Sequence, residues 1–178
     1  MRTILVGLCI FGIGCSEQMS TLSPTSPTTA ASVSTATLTS VSAASLSDHP
    51  LPFRGSLTAK EIDIVTFPTL LADGEAEGTA THLGRYAATF NATVNVLDGT
   101  ATGSYTFTAA NGDQLFSTFI GLGVPAGGGL ASITETLTIT GGTGRFAGAG
   151  GTLAVQRTLD QTTGASSGSI QGSITTQH

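Results

Sequence analysis

The stretch Thr140-Gly-Gly-Thr-Gly-Arg-Phe-Ala-Gly-Ala-Gly-Gly151 decides the fold. It carries six of the chain's 24 glycines and one aromatic residue, Phe146. Glycine has no Cβ, so such a stretch can turn sharply and let one backbone approach another. On either side the chain alternates apolar and polar residues. A period of two puts successive side chains on opposite faces of a strand. We read the stretch as a tight, close-packed connection between two antiparallel strands. Gly141, Gly142, Gly144, Phe146, Gly148, Gly150 and Gly151 form its structural motif.

Working outward, the alternation recurs. Ala88, Phe90, Ala92, Val94 and Val96 share one face, opposite Thr89, Asn91, Thr93 and Asn95. Ala101, Gly103, Tyr105, Phe107 and Ala109 form a second apolar row, and Ile133, Leu137 and Ile139 a third. Leu153, Val155 and Leu159 follow, and Ile170 and Ile174 close the series. Turn signals stand between the runs at Asp73-Gly74, Asp98-Gly99, Asn111-Gly112 and Gly127-Gly129. Asp98-Gly99 and Asn111-Gly112 predict two-residue hairpins whose central residues both take positive φ. The count is eight or nine strands with sequential hairpins and no helix. One apolar and one polar face per strand fits an antiparallel sheet, and closing the sheet removes aggregation-prone edges. The expectation is an all-β domain over residues 49–178, an eight-stranded antiparallel β-barrel. A barrel of that size is filled by side chains or holds one small ligand.

Ile139 to Gly151 resembles the glycine-rich signature of the allene oxide cyclase and dirigent β-barrel superfamily. There Gly-Gly-Thr-Gly, an aromatic residue and further spaced glycines lie between two late strands of an eight-stranded barrel. Thr81-His-Leu-Gly-Arg-Tyr86 is similar to a segment of bacterial relatives. The resemblance implies a barrel able to hold a small apolar molecule. It brings no catalytic residue onto this chain.

The first 15 residues, MRTILVGLCIFGIGC, follow the plan of a signal peptide. Arg2 supplies the positive charge, and the apolar core from Ile4 to Ile13 is shorter than the roughly 20 residues of a spanning helix. Phe11-Gly-Ile-Gly-Cys15 resembles a bacterial lipobox, with Gly12 where leucine is commoner. That resemblance implies cleavage before Cys15, lipidation of the cysteine and a lipid bilayer as partner. The protein is then extracytoplasmic, anchored to the cell envelope, and in the outer membrane where one exists. An ordinary secretory signal cleaved nearby is the alternative. Residues 16–48 are Ser, Thr, Pro and Ala with few large apolar residues, which predicts a disordered tether.

Composition excludes several classes. A net charge of -5 with singly scattered basic residues argues against a nucleic-acid partner. Both cysteines, Cys9 and Cys15, precede the folded part, so it has no disulfide framework and no thiolate zinc site. No cofactor or metal is expected. Gly142-Thr-Gly144-Arg-Phe-Ala147 fits a loose dinucleotide pattern, but no helical period follows it. Gly164-Ala-Ser166-Ser-Gly168 fits the nucleophile-elbow pattern, yet the only histidine after it is His178, so a hairpin loop is the better reading. Glu75 and Glu77, near Asp73, read as a solvated acidic rim rather than a calcium site. His82, placed in a strand, is a lone polar candidate whose plainer role is structural.

Charge on an apolar face is the most informative feature. Glu135 is in phase with Ile133, Leu137 and Ile139, and Arg157 with Leu153, Val155 and Leu159. A hairpin symmetric about Phe146 sets 135 opposite 157. The expectation is an inward Glu135–Arg157 pair, because either charge buried alone costs several kcal/mol; a shifted register would send both to the barrel mouth instead. The function expected is binding of a small apolar or amphipathic ligand. One alternative is a cyclase or isomerase working by orientation, with Glu135 or His82 as polar group. The other is a structural envelope protein with a filled core, which would have no cavity.

Overall fold

A computed structural model of the protein describes residues 49–177. The expected signal segment with Cys15, the expected tether over 16–48 and His178 lie outside the described residues. Among the described residues there are eight strands and no α-helix. They are β1 (Leu51–Thr66), β2 (Thr69–Ala80), β3 (Gly84–Asn95), β4 (Thr100–Ala109), β5 (Gln114–Gly127), β6 (Leu130–Gly142), β7 (Gly150–Asp160) and β8 (Ala165–Thr175). Each strand pairs antiparallel with the next, and β8 returns to β1, so the sheet is a closed barrel. The glycine-rich stretch joins β6 to β7 through a short 3-10 turn, Gly144–Phe146.

Sequential hairpins divide the turns between two poles. The β1–β2, β3–β4, β5–β6 and β7–β8 turns share one, here called the wide end. The β2–β3, β4–β5 and β6–β7 connections share the other. That pole is sealed by Leu83, Phe146 and Ala149, all at most 5% exposed. Phe146 can turn inward because Gly142 beside it is bare: a Cβ there would lie 2.6 Å from the Phe146 Cβ.

The interior is packed by size complementarity. The inward row of β2 is Ala72, Gly74, Ala76, Gly78 and Ala80, all small. It faces Phe90 and Tyr86 of β3, with Gly74 opposite Phe90 and Gly78 opposite Tyr86. A Cβ on Gly74 would run into the Phe90 ring. Four aromatics then fill the middle of the barrel. Tyr105 stacks on Phe90 and Phe107 at 5.1 and 5.4 Å and tilts against Phe119 at 5.3 Å. Contacts of this kind add to simple burial.

The turn readings need correction at three places. Asp73-Gly74 is not a turn but the middle of β2, where glycine makes room for a ring. The chain turns instead at Phe67-Pro68, whose peptide is cis. The two expected hairpins have one positive-φ residue each, Gly99 and Gly112, while Asp98 and Asn111 keep negative φ. At the second, Gly112 N–H donates to the Ala109 carbonyl at 2.9 Å, and Ala109 N–H to Asp113 at 2.9 Å. That is a three-residue loop with glycine in the left-handed region, the next most common hairpin after the two-residue form. His82 lies in the β2–β3 turn rather than in a strand, and its φ is 66°.

Candidate functional site

The strand alternation carries charged side chains into the barrel. Glu135 points inward from β6 and Arg157 from β7, and they are 2% and 6% exposed. Arg157 Nη2 donates to Glu135 Oε1 at 3.1 Å. The inward pair of the sequence reading is therefore present, but its register is not the one expected. The β6–β7 ladder runs from Leu130↔Asp160 to Ile139↔Gly151, centred on Arg145 rather than Phe146. Glu135 faces Val155, Arg157 faces Ile133, and the ion pair forms on the diagonal.

Three more residues complete the cluster. Arg157 Nη1 donates to Glu61 Oε2 of β1 at 2.7 Å and to Ser166 Oγ of β8 at 3.0 Å. Tyr105 of β4 donates its hydroxyl to Glu135 Oε2 at 2.8 Å. Glycines make room for these side chains. A Cβ on Gly168, which faces Arg157 across β7–β8, would lie 2.8 Å from the Arg157 Cβ. A Cβ on Gly121, facing Glu135, would lie 3.1 Å from the Glu135 Cγ. The guanidinium also lies 5.2 Å over the Phe90 ring, a cation–π contact. Arg157 Nε is buried without a hydrogen-bond partner.

One guanidinium thus serves two carboxylates. Burial opposes charge on Arg157, but Glu135, Tyr105 and Glu61 outweigh it and hold the guanidinium more firmly protonated than usual. Glu61 moves the other way. Burial raises its pKa, and the attraction of Arg157 offsets only part of that. The two directions agree once the sharing is counted: one guanidinium divided between two carboxylates offsets only part of the cost of burying Glu61. Burial also raises Asp63, two residues along β1. Tyr105 is held well above the usual tyrosine value, first by burial and then by the neighbouring Glu135.

Beyond this cluster, toward the wide end, the barrel is hollow. A cavity of about 440 Å³ opens there, lined by Leu70, Val94, Ile133 and Leu159 among its walls and by Glu61, Glu135 and Arg157. Its size lies in the roughly 300–1,000 Å³ range of small-molecule sites. A larger concavity of about 680 Å³ includes Thr58, Lys60, Glu75 and Glu77 on the outer face. In the smaller one buried charges meet apolar walls.

No family model, curated protein or solved structure matches this chain. The site is therefore read from its own geometry.

The remaining candidates fall elsewhere. His82 is exposed at the sealed end, its Nε2 3.1 Å from the Pro52 carbonyl, and takes no part in the cavity. Asp73, Glu75 and Glu77 point outward from β2 and are exposed. Ser166 begins no helix: it sits on β8 and accepts from Arg157, so no nucleophile elbow is built. A strand likewise follows the dinucleotide-like pattern at Gly142–Ala147. Sequence reading missed Glu61 and Tyr105, and it read Ser166 as part of a hairpin loop where the structure places it on β8 beside Arg157. Glu61 carried the same signal as Glu135, a charge in phase with Phe53, Leu57 and Ala59. Tyr105 looked like an ordinary core aromatic, and only the fold shows that its hydroxyl reaches Glu135.

Proposed function

We propose that the protein is an exported, lipid-anchored barrel that binds one small apolar or amphipathic molecule at its wide end. The observation that carries this reading is the unequal filling of the interior. Aromatic rings close the middle, and the cavity beyond them has apolar walls and a buried ionic floor. Apolar walls with a few placed polar groups are the usual make-up of a small-molecule site. The filled-core alternative is disfavoured by that same cavity.

Native mass spectrometry of the intact chain, purified gently from its host, tests the reading. The expected result is an excess on the order of a few hundred daltons, lost on denaturation. Ala131→Trp, at a buried position in the cavity wall, is expected to remove the excess. A bare mass in the parent, with no uptake from an apolar extract, would reject the binding reading.

A second reading has one observation in its favour. Glu61, Glu135 and Arg157 converge at the cavity floor, with the Tyr105 hydroxyl bound to Glu135 behind them, an arrangement an isomerase or cyclase could use. Both Glu135 oxygens and the Tyr105 proton are already engaged, which leaves Glu61 as the group able to exchange a proton. Recovery of a bound molecule chemically changed by the parent but unchanged by Glu61→Gln would favour catalysis.

Export and anchoring rest on the sequence of residues 1–15, and Cys15 is the lipid-bearing residue in this reading. Several acyl chains would hold the protein firmly, at about 0.8 kcal/mol per buried methylene. Radiolabelled palmitate is expected in the parent and absent from Cys15→Ser. Equal labelling of both would reject the anchor.

A further inference from the structure

We infer that the molecule held at the wide end is an amphiphile with a cationic head, an organic ammonium docked at Glu61 and Asp63, with its apolar body against the cavity wall. This deepens the binding reading above and rests on it.

The argument begins with charge. The residues lining the cavity include four carboxylates, Glu61, Asp63, Asp98 and Glu135, and one cation, Arg157. The other basic residues of the barrel, Arg54, Lys60, Arg85 and Arg145, are absent from its lining. With all groups ionised, the cavity carries an excess of three negative charges.

Hydrogen bonding then shows which carboxylates are free to receive a head. Glu135 is spent: Oε1 accepts from Arg157 and Oε2 from Tyr105. Asp98 is spent on its own turn, accepting from the Thr100 N–H and hydroxyl and from Asn95. Glu61 uses Oε2 for Arg157, and its second oxygen takes no side-chain bond among the described residues. Asp63 forms no salt bridge among the described residues. Glu61 and Asp63 are two apart on β1, and residues i and i+2 of a strand share a face.

These two unspent acceptors stand where the ionic floor meets the apolar wall of Leu70, Val94, Ile133 and Leu159. Among the described residues no three His, Cys, Asp or Glu side chains are grouped to hold a metal ion, and the apolar wall beside the two carboxylates suits an organic cation. An ammonium can donate up to three hydrogen bonds and accepts none, which matches the two unspent acceptors Glu61 and Asp63. Burial makes the ionised form of Glu61 costly, and an ammonium beside it would relieve that cost. The rival head is an anion on Arg157, whose Nε lacks a partner. It would have to approach the guanidinium among carboxylates already paired with it.

The test uses three probes with the same chain and different heads: decylammonium, decanol and decanoate. Each is titrated calorimetrically, below its micellar concentration and at neutral pH, into the full chain carrying Cys15→Ser. Decylammonium is expected to bind tightest, and more tightly than decanoate by at least roughly tenfold, about 1.4 kcal/mol. Asp63→Asn, an exposed change outside the Arg157 pairs, is expected to fold normally and to narrow that gap. Glu61→Gln is expected to narrow it further. Equal binding of all three, or a gap unmoved by Asp63→Asn, would overturn the ammonium assignment and leave the binding reading standing. Tighter decanoate would overturn it in favour of Arg157. No binding of any probe would overturn both readings together.

Discussion

The two ends of this barrel are built from the same strands and do opposite things. Toward the sealed end the inward rows hold Phe53, Leu115, Leu137, Phe146, Leu153 and Ile174, none more than 1% exposed. Toward the wide end the same rows continue as Glu61, Glu135 and Arg157, and then as the walls of a cavity. Exposed apolar side chains gather at the wide end as well. Ile62, Ile64, Val65, Phe67 and Leu97, all more than half exposed, lie on the wide-end side. One end is packed as a protein interior is packed. The other keeps charge, space and exposed apolar side chains, each a departure from what stability alone favours. The lesson is a division of labour along the barrel axis: the sealed half supplies the stability that the wide half gives up.

Substitutions can break that comparison. A large loss is expected at the sealed end. Phe146→Ala removes a ring from a filled interior and is expected to cost about 3–5 kcal/mol. Leu97→Ser, in a wide-end turn, is expected to change stability by less than about 0.5 kcal/mol. Urea denaturation of the two variants measures both, and equal losses would erase the division.

The ionic floor sharpens it. Arg157→Met leaves Glu61 and Glu135 buried without their cation and is expected to cost about 3–5 kcal/mol. Replacing all three charges together, by Glu61→Leu, Glu135→Leu and Arg157→Met, is expected to recover that loss to within about 1 kcal/mol of the parent. The triple variant is also expected to lose its preference among charged probes. Denaturation midpoints decide the first point and calorimetry the second. A triple variant no more stable than Arg157→Met would mean that the cluster itself holds the wide end together.

The smallest effect is spectroscopic. The chain has two tyrosines, Tyr86 and Tyr105. Burial pushes Tyr86 up to about 12, and Tyr105 is also held well above the usual value. Both folded values exceed the unfolded one near 10. The stability they contribute is therefore complete below pH 10 and is lost as pH rises through the folded values. Ultraviolet titration is expected to show little tyrosinate at pH 10, then a rise together with unfolding. A full tyrosinate signal at pH 10 in the folded protein would contradict the burial of both rings.

Much of this fold was legible in the sequence because a period of two survives wherever apolar and polar residues alternate. The apolar rows of β3, β4, β6, β7 and β8 all point inward over most of their length. β2 was harder because its inward row is alanine and glycine, too small to register as apolar, and Gly74 looked like a turn. Its size makes sense only beside Phe90, sixteen residues later. Half of the site was visible for the same reason that the strands were. Glu135 and Arg157 are charges in an apolar phase, and that phase gave the face. It could not give the partner. Which carboxylate meets Arg157 depends on barrel closure, which brings β1 beside β8 and Glu61 within 2.7 Å of a residue 96 positions away.

Closure has a practical consequence. Leu51 pairs with Ile174, so the barrel's first and last strands begin and end together at the sealed pole. Among the described residues, the opening at the other pole is ringed by hairpin turns. A surface, a dye or a reporter domain joined directly at residue 49 or residue 177 would therefore sit at the pole opposite the mouth. The barrel could be immobilised through either terminus and still report on what enters it.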